Sequence, residues 1–167
     1  MSRKTILRPT QNKVKQAIFN IFQNEIINSE FLDLFAGTGQ IGIEALNHGA
    51  KNIVLVENNP VLIKKLNEIN ADKKIEIVKK DVFFAIGNFY RQNKKFDFVF
   101  ADPPYHENLY DKILTELEKH DILNTQGRLI LEHYWRENLP EETPVFKVWQ
   151  KKKYGDTVLT IYKKKAV

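Results

Sequence analysis

The apolar positions of this chain keep two alternating rhythms. Short, nearly unbroken apolar runs occur at Phe31–Ala36 (FLDLFA), Asn52–Glu57 (NIVLVE), Lys74–Val78 (KIEIV), Phe96–Ala101 (FDFVFA) and Gly127–His133 (GRLILEH). Runs of this length, bounded by polar and turn-forming residues, predict buried strands. Between them the apolar residues recur three and four apart. Val14, Ala17, Ile18, Ile21 and Phe22 mark a helix over Gln11–Asn24, with Thr10 as its cap and Arg8-Pro9 leading in. Further helices are predicted over Gln40–Asn47, ended by Gly49, and from Pro60 through Ile69. Two more cover Val82–Tyr90 and Asn108–Lys119.

Strands that alternate with helices require crossover connections. The prediction is a doubly wound α/β fold with a parallel sheet covered on both faces and ligands at the carboxyl ends of the strands. The tail breaks the alternation, because VFKVWQ and TVLTIYK flank KKKYGD with no helical spacing between them. A terminal antiparallel pair is predicted there. Neither repeats nor low-complexity segments interrupt the pattern. One domain over residues 1–167, with a short lead at 1–9, is expected.

Composition narrows the chemistry only slightly. Of the 167 residues, 43% are hydrophobic and 28% charged, enough apolar surface for one core. No run of 18 apolar residues or secretory apolar segment occurs, so the cytoplasm is the expected compartment and no membrane partner is expected. With no cysteine, and with His48, His106, His120 and His133 scattered, no metal site is expected. A net charge of +5 is compatible with an anionic partner without requiring one.

The candidate chemistry lies at the strand ends. GTGQIG (Gly37–Gly42) has the spacing of a dinucleotide-binding turn, a weak signal alone. Four acids, Asp33, Glu57, Asp81 and Asp102, fall near the ends of four successive predicted strands, so the fold would gather them on one rim. Glu57 follows Gly37 by twenty residues, where a carboxylate can accept both hydroxyls of an adenosine ribose. NAD and S-adenosylmethionine (SAM) share that ribose. Asp33 separates them, since a carboxylate facing the turn would repel a pyrophosphate and attract an ammonium and a sulfonium. The turn Phe35-Ala36-Gly37-Thr38-Gly39 is expected to line that donor's site, Gly37 and Gly39 letting backbone approach it. Gly42 is expected to serve helix packing. Asp81 is placed to accept from an adenine amine beside the apolar wall of Val82, with Asn58 next to Glu57.

Asp102-Pro103-Pro104-Tyr105 closes the fourth predicted strand with a stiff turn. The lone pair of a nucleobase amine is delocalised into its ring, which makes it a poor nucleophile. Asp102 and the Pro103 carbonyl can accept its two hydrogens and favour a pyramidal nitrogen, while Tyr105 stacks on the base. Nitrogen gains positive charge during attack, so the carboxylate stabilises the transition state more than the ground state.

The chain resembles the SAM-dependent amino-methyltransferases that carry a D/N-P-P-Y/F/W motif. It is most similar to the RsmD-type 16S ribosomal RNA guanine-N2 methyltransferases, through LRPTQNKVKQAIFNI, FLDLFAGTGQIGIEALNHGA, VLVENN, DPPY and KKYGDTVLTIY. DPPY alone also fits enzymes acting on adenine N6 or cytosine N4 of RNA or DNA. The resemblance implies a Rossmann-like sheet of seven strands with the last antiparallel, SAM as cofactor and S-adenosylhomocysteine as product. It implies a monomer acting on 16S rRNA in a small-subunit particle. Asp33, Gly37, Gly39, Glu57, Asn58 and Asp81 would line the SAM site, Arg8 to Thr10 would cover it, and Asp102 to Tyr105 would hold the guanine. Members usually carry a basic, glycine-containing arm before the RPT segment, where only seven residues precede Arg8 here. Lys151–Lys153 and Lys163–Lys165 are the expected replacement phosphate contacts.

Overall fold

The computed structural model describes residues 9–71, 74–105 and 109–166. Among these residues, seven strands and five helices follow one another as α1 (Pro9–Ile21), β1 (Glu30–Asp33), α2 (Gln40–Asn47), β2 (Asn52–Val56), α3 (Pro60–Ile69), β3 (Ile75–Val78), α4 (Val82–Arg91), β4 (Phe96–Ala101), α5 (Leu109–Lys119), β5 (Leu123–Tyr134), β6 (Phe146–Tyr154) and β7 (Thr157–Lys164). They form one sheet in the order β3-β2-β1-β4-β5-β7-β6. The ladders from β3 through β5 are parallel, and β7 runs antiparallel to both β5 and β6. The predicted doubly wound sheet and its antiparallel terminal strand are both present.

Side-chain alternation explains why both sheet faces are covered. In β4, Phe98 and Phe100 join Phe19, Phe22, Phe31, Leu55, Leu66 and Ile130 on the face closed by α1, α2 and α3. Val99 and Ala101 point the other way, to Ile86, Phe89, Ile113, Leu117 and Leu131 beneath α4 and α5. A period-2 strand buried on both sides needs apolar residues at nearly every position, which is what produced the unbroken runs. Strand order reverses between β1 and β4, leaving a crevice beyond their carboxyl ends.

Four elements differ from expectation by more than one residue at an end, each for a local reason. The first helix starts at Pro9 and ends at Ile21, so Thr10 belongs to its first turn and is not its cap. Proline suits this position because the first helical N–H has no intrahelical partner. The first strand stops at Asp33, three residues before the apolar run ends, because the Asp33 carboxylate accepts the Phe35 N–H at 3.1 Å and turns the chain out of the ladder. Strand β5 begins at Leu123, ahead of Gly127, with a register shift opposite β4 between Phe96 and Phe98. Strand β6 continues through Lys151–Lys153, leaving only Gly155-Asp156 as the connector to β7. Asn108, the expected start of α5, lies outside the described residues.

Candidate active site

All four predicted strand-end acids reach the same rim. Asp33 is 1% exposed at the end of β1, and Glu57 directly follows β2. Asp81 is the N-cap of α4, its Oδ1 accepting the N–H groups of Phe83 (2.9 Å) and Phe84 (3.3 Å). Asp102 follows β4. The cleft between them has two halves of about 460 Å³ each, which share Phe35, Gly37 and Asp102.

The first half is lined by Glu57, Asn58, Asp81, Val82, Phe83 and Leu62, with Pro104 and Leu109 closing it. Polar groups at one edge and apolar walls at the other suit a nucleoside. Glu57 ties this wall together. Its Oε2 accepts the Gly37 N–H at 2.9 Å, and its Oε1 accepts those of Asn58 and Asn59, both at 2.9 Å. Gly37 sits at φ +57° with open space where a Cβ would point, so ligand can approach its backbone. At φ +79° Gly39 leads into α2, and a Cβ there would lie 2.7 Å from Leu66 Cδ2, so the missing side chain lets α3 pack close to this turn. Gly42 meets its expected packing role, since a Cβ would fall 2.5 Å from Leu55.

The second half holds Asp33, Asp102 and Glu132 below Gln11 and Lys15 of α1, with Ala36, Thr38 and Ile41 alongside. Burial pushes the Asp33 carboxyl up to about 8; the Phe35 N–H opposes this, and Asp102 and Glu57 reinforce it. Desolvation raises Asp102 to about 6, although its side chain opens to water in the cleft, because protein rings it. Glu132 rises to about 8, first from burial and then from the charges of Asp102 and Asp33. Three carboxyls held this way favour a cation, which lowers all three at once. A pyrophosphate would face the opposite field.

Asp102 stands where the halves meet, followed by buried Pro103 and exposed Pro104 and Tyr105. The Tyr105 ring meets Tyr134 edge-on, with centroids 6.5 Å apart. Beyond it Trp135 carries Arg136 and Lys153 at 4.9 and 5.0 Å from its ring. Of the lysines predicted to contact phosphate, Lys151 pairs with Glu141, Lys164 with Asp121 and Lys165 with Glu142. The second cluster is thus largely neutralised, while Lys153 stays on the aromatic side of the rim.

Glu132, Gln11 and Lys15 were not anticipated. Glu132 lies two residues before the end of β5 and was readable as the acid that closes the apolar stretch of GRLILEH. The α1 residues were not, because periodicity does not say where a helix docks. Arg8 lies outside the described residues, as does the Thr10 side chain.

Sheet order, glycine turn and rim define the Rossmann-like fold of the SAM-dependent methyltransferases. The model of the family described as "Conserved hypothetical protein 95" matches residues 1–163, and the chain belongs to that family, the RsmD-type methyltransferases. YlbH of Bacillus subtilis (strain 168) is 32% identical over 165 residues, covering 96% of this chain and 90% of that protein. The Escherichia coli (strain K12) protein named "Ribosomal RNA small subunit methyltransferase D" is 26% identical over 160 residues, covering 96% and 81%. A conserved hypothetical protein of Streptococcus pyogenes with a solved structure is 31% identical, with a TM-score of 0.77 over 89% of this chain and 93% of that one.

Proposed function

We propose that this protein transfers the methyl group of SAM to the exocyclic N2 amine of a guanine in 16S ribosomal RNA. It does so as a monomer in the cytoplasm, on a small-subunit particle. The observation that carries the reading is the position of Asp102 at the junction of the two cleft halves, with a nucleoside-shaped wall on one side and an acidic cradle on the other. The curated relative named for the small ribosomal subunit supports the RNA class.

SAM, when bound, supplies an electrophilic methyl on a sulfonium. Glu57 and Asp81 hold the ribose and adenine side, and Val82 packs against the base. Asp33 takes the ammonium of the amino-acid end, and Lys15 is placed for its carboxylate. Asp102 and the Pro103 carbonyl accept the two hydrogens of the target amine, and Tyr105 stacks on the guanine. The guanine must leave its helix to reach them, at a cost of about a few kcal/mol. Trp135, Arg136 and Lys153 extend the rim for the flanking backbone.

Incubating small-subunit particles from cells that lack this gene with the protein and isotope-labelled SAM, then analysing nucleosides by mass spectrometry, tests this. Label in N2-methylguanosine is expected. Label only in methyladenosine or methylcytidine rejects the base assignment and leaves the amino-methyltransferase class standing.

A further inference from the structure

Strand β5 carries, two residues before its end, a carboxylate, that of Glu132, to which the transfer described above gives no role. Ala101 and Leu131 are register partners, so Asp102 and Glu132 are the next residues on neighbouring parallel strands. Both project to the α1 face, where they line one cavity with Asp33. The backbone of Glu132 is held firmly. The Tyr110 hydroxyl donates to its carbonyl at 3.1 Å, and the adjacent His133 ring lies 2.7 Å from Thr160 Oγ1. Its side chain, by contrast, accepts no hydrogen bond and forms no ion pair among the described residues, and it is only partly covered. A rigidly mounted, half-buried acceptor with no protein donor, beside the residue that takes the target amine, is an acceptor reserved for ligand.

The Watson–Crick edge of guanine offers two adjacent donors, N1–H and the N2 amine. Adenine and 2-aminopurine carry a lone pair at N1. If Asp102 and the Pro103 carbonyl take the amine, the next donor along that edge is N1–H, and the next acceptor along the sheet is Glu132. We propose that Glu132 accepts the N1–H of the target guanine and thereby determines which purine the site methylates. This rests on the guanine-N2 reading and adds to it the residue that enforces base choice. With the cationic methyl donor in the cradle holding Glu132 ionised, the selection works mainly by rejection, because a lone pair set against a carboxylate leaves both unsatisfied.

The test uses the full chain and 16S RNA assembled into particles, with guanine or 2-aminopurine at the nucleotide to which the isotope label is first mapped. 2-Aminopurine keeps the reactive 2-amine and lacks N1–H. The wild type is expected to prefer guanine by about a hundredfold or more in kcat/KM, as for sites built around a substrate N–H. Glu132→Gln can turn its amide to donate to the N1 lone pair, so the preference is expected to shrink at least about tenfold, part of it from a gain on 2-aminopurine. A purely structural role would lower both substrates together. Glu132→Asp keeps an acceptor and is expected to keep the preference at reduced rate, which covers the case in which the glutamine variant does not fold. Calorimetric SAM affinity monitors cofactor binding. An unchanged purine preference in Glu132→Gln overturns the proposal, as does a loss confined to SAM binding, which would make Glu132 a partner of the methyl donor. A wild type that methylates no guanine is a separate outcome that rejects the guanine reading itself.

Discussion

The Gly37 N–H donates to Glu57 Oε2 at 2.9 Å, joining the glycine turn after β1 to the end of β2. The other carboxylate oxygen already accepts two N–H groups, from Asn58 and Asn59. Oε2 therefore holds most of the remaining acceptor capacity for a ribose hydroxyl. In the function proposed above, the bidentate ribose contact expected from spacing alone would become a contact centred on this oxygen.

Glu57→Gln replaces one acceptor oxygen with an amide that cannot accept, facing either Gly37 or the two asparagine N–H groups. SAM affinity is expected to fall by about 1.5–3 kcal/mol, the usual worth of a hydrogen bond to a charged group. Isothermal titration calorimetry reads this directly, and an unaltered dissociation constant would contradict the ribose role.

Asp33→Ala removes the buried partner assigned to the ammonium of the donor. The expected loss in SAM affinity is again about 1.5–3 kcal/mol. Because removing a buried carboxyl also relieves its desolvation, the ligand-free variant should be no less stable than the wild type. A variant that binds SAM normally would show that residue 33 does not face the donor.

The raised carboxyls make a pH prediction with a definite sign. Asp33 and Glu132 reach about 8 and Asp102 about 6 in the fold, above their ordinary values near 4. Between roughly pH 4 and 8 the folded protein binds more protons than the unfolded chain, so this contribution to stability is full below pH 4 and is lost as pH rises through 8. A cationic ligand reverses the preference. SAM binding near pH 7 should release protons, seen as a dependence of the calorimetric enthalpy on the ionisation enthalpy of the buffer. Net proton uptake would contradict the cradle.

How far the site was legible from residues alone depends on what each residue answers to. Asp33, Glu57, Asp81 and Asp102 could be placed because a parallel sheet sends all its strand ends to one rim, whatever the side-chain detail. Gly39 also answers to Leu66, a residue on another helix whose approach no local spacing encodes. Glu132 is legible by the same logic, as the acid that closes the apolar stretch of GRLILEH. Gln11 and Lys15 depended on where α1 docks, a matter of Phe19 and Phe22 packing on Phe31 and Phe98. Strand β6 outran its prediction because lysines on an edge strand look like a loop in one dimension.

Gly42→Ala offers a test of the fold independent of ligand. Its Cβ would fall 2.5 Å from Leu55 and 2.9 Å from Ile53, both on a central strand. Forcing α2 outward should cost about 1–3 kcal/mol of stability, measurable by urea unfolding. A melting temperature equal to wild type would mean that α2 does not press on β2 as described.

The central claim is that Asp102, at the junction of the two cleft halves, activates the target amine. The direct measurement is single-turnover methyl transfer to guanine in 16S RNA particles by wild type and Asp102→Ala, with SAM affinity determined on the same samples. The account predicts a transfer rate lowered by about a hundredfold or more, consistent with loss of a group that stabilises developing charge, and SAM affinity changed by less than about tenfold. Wild-type transfer by Asp102→Ala would contradict it.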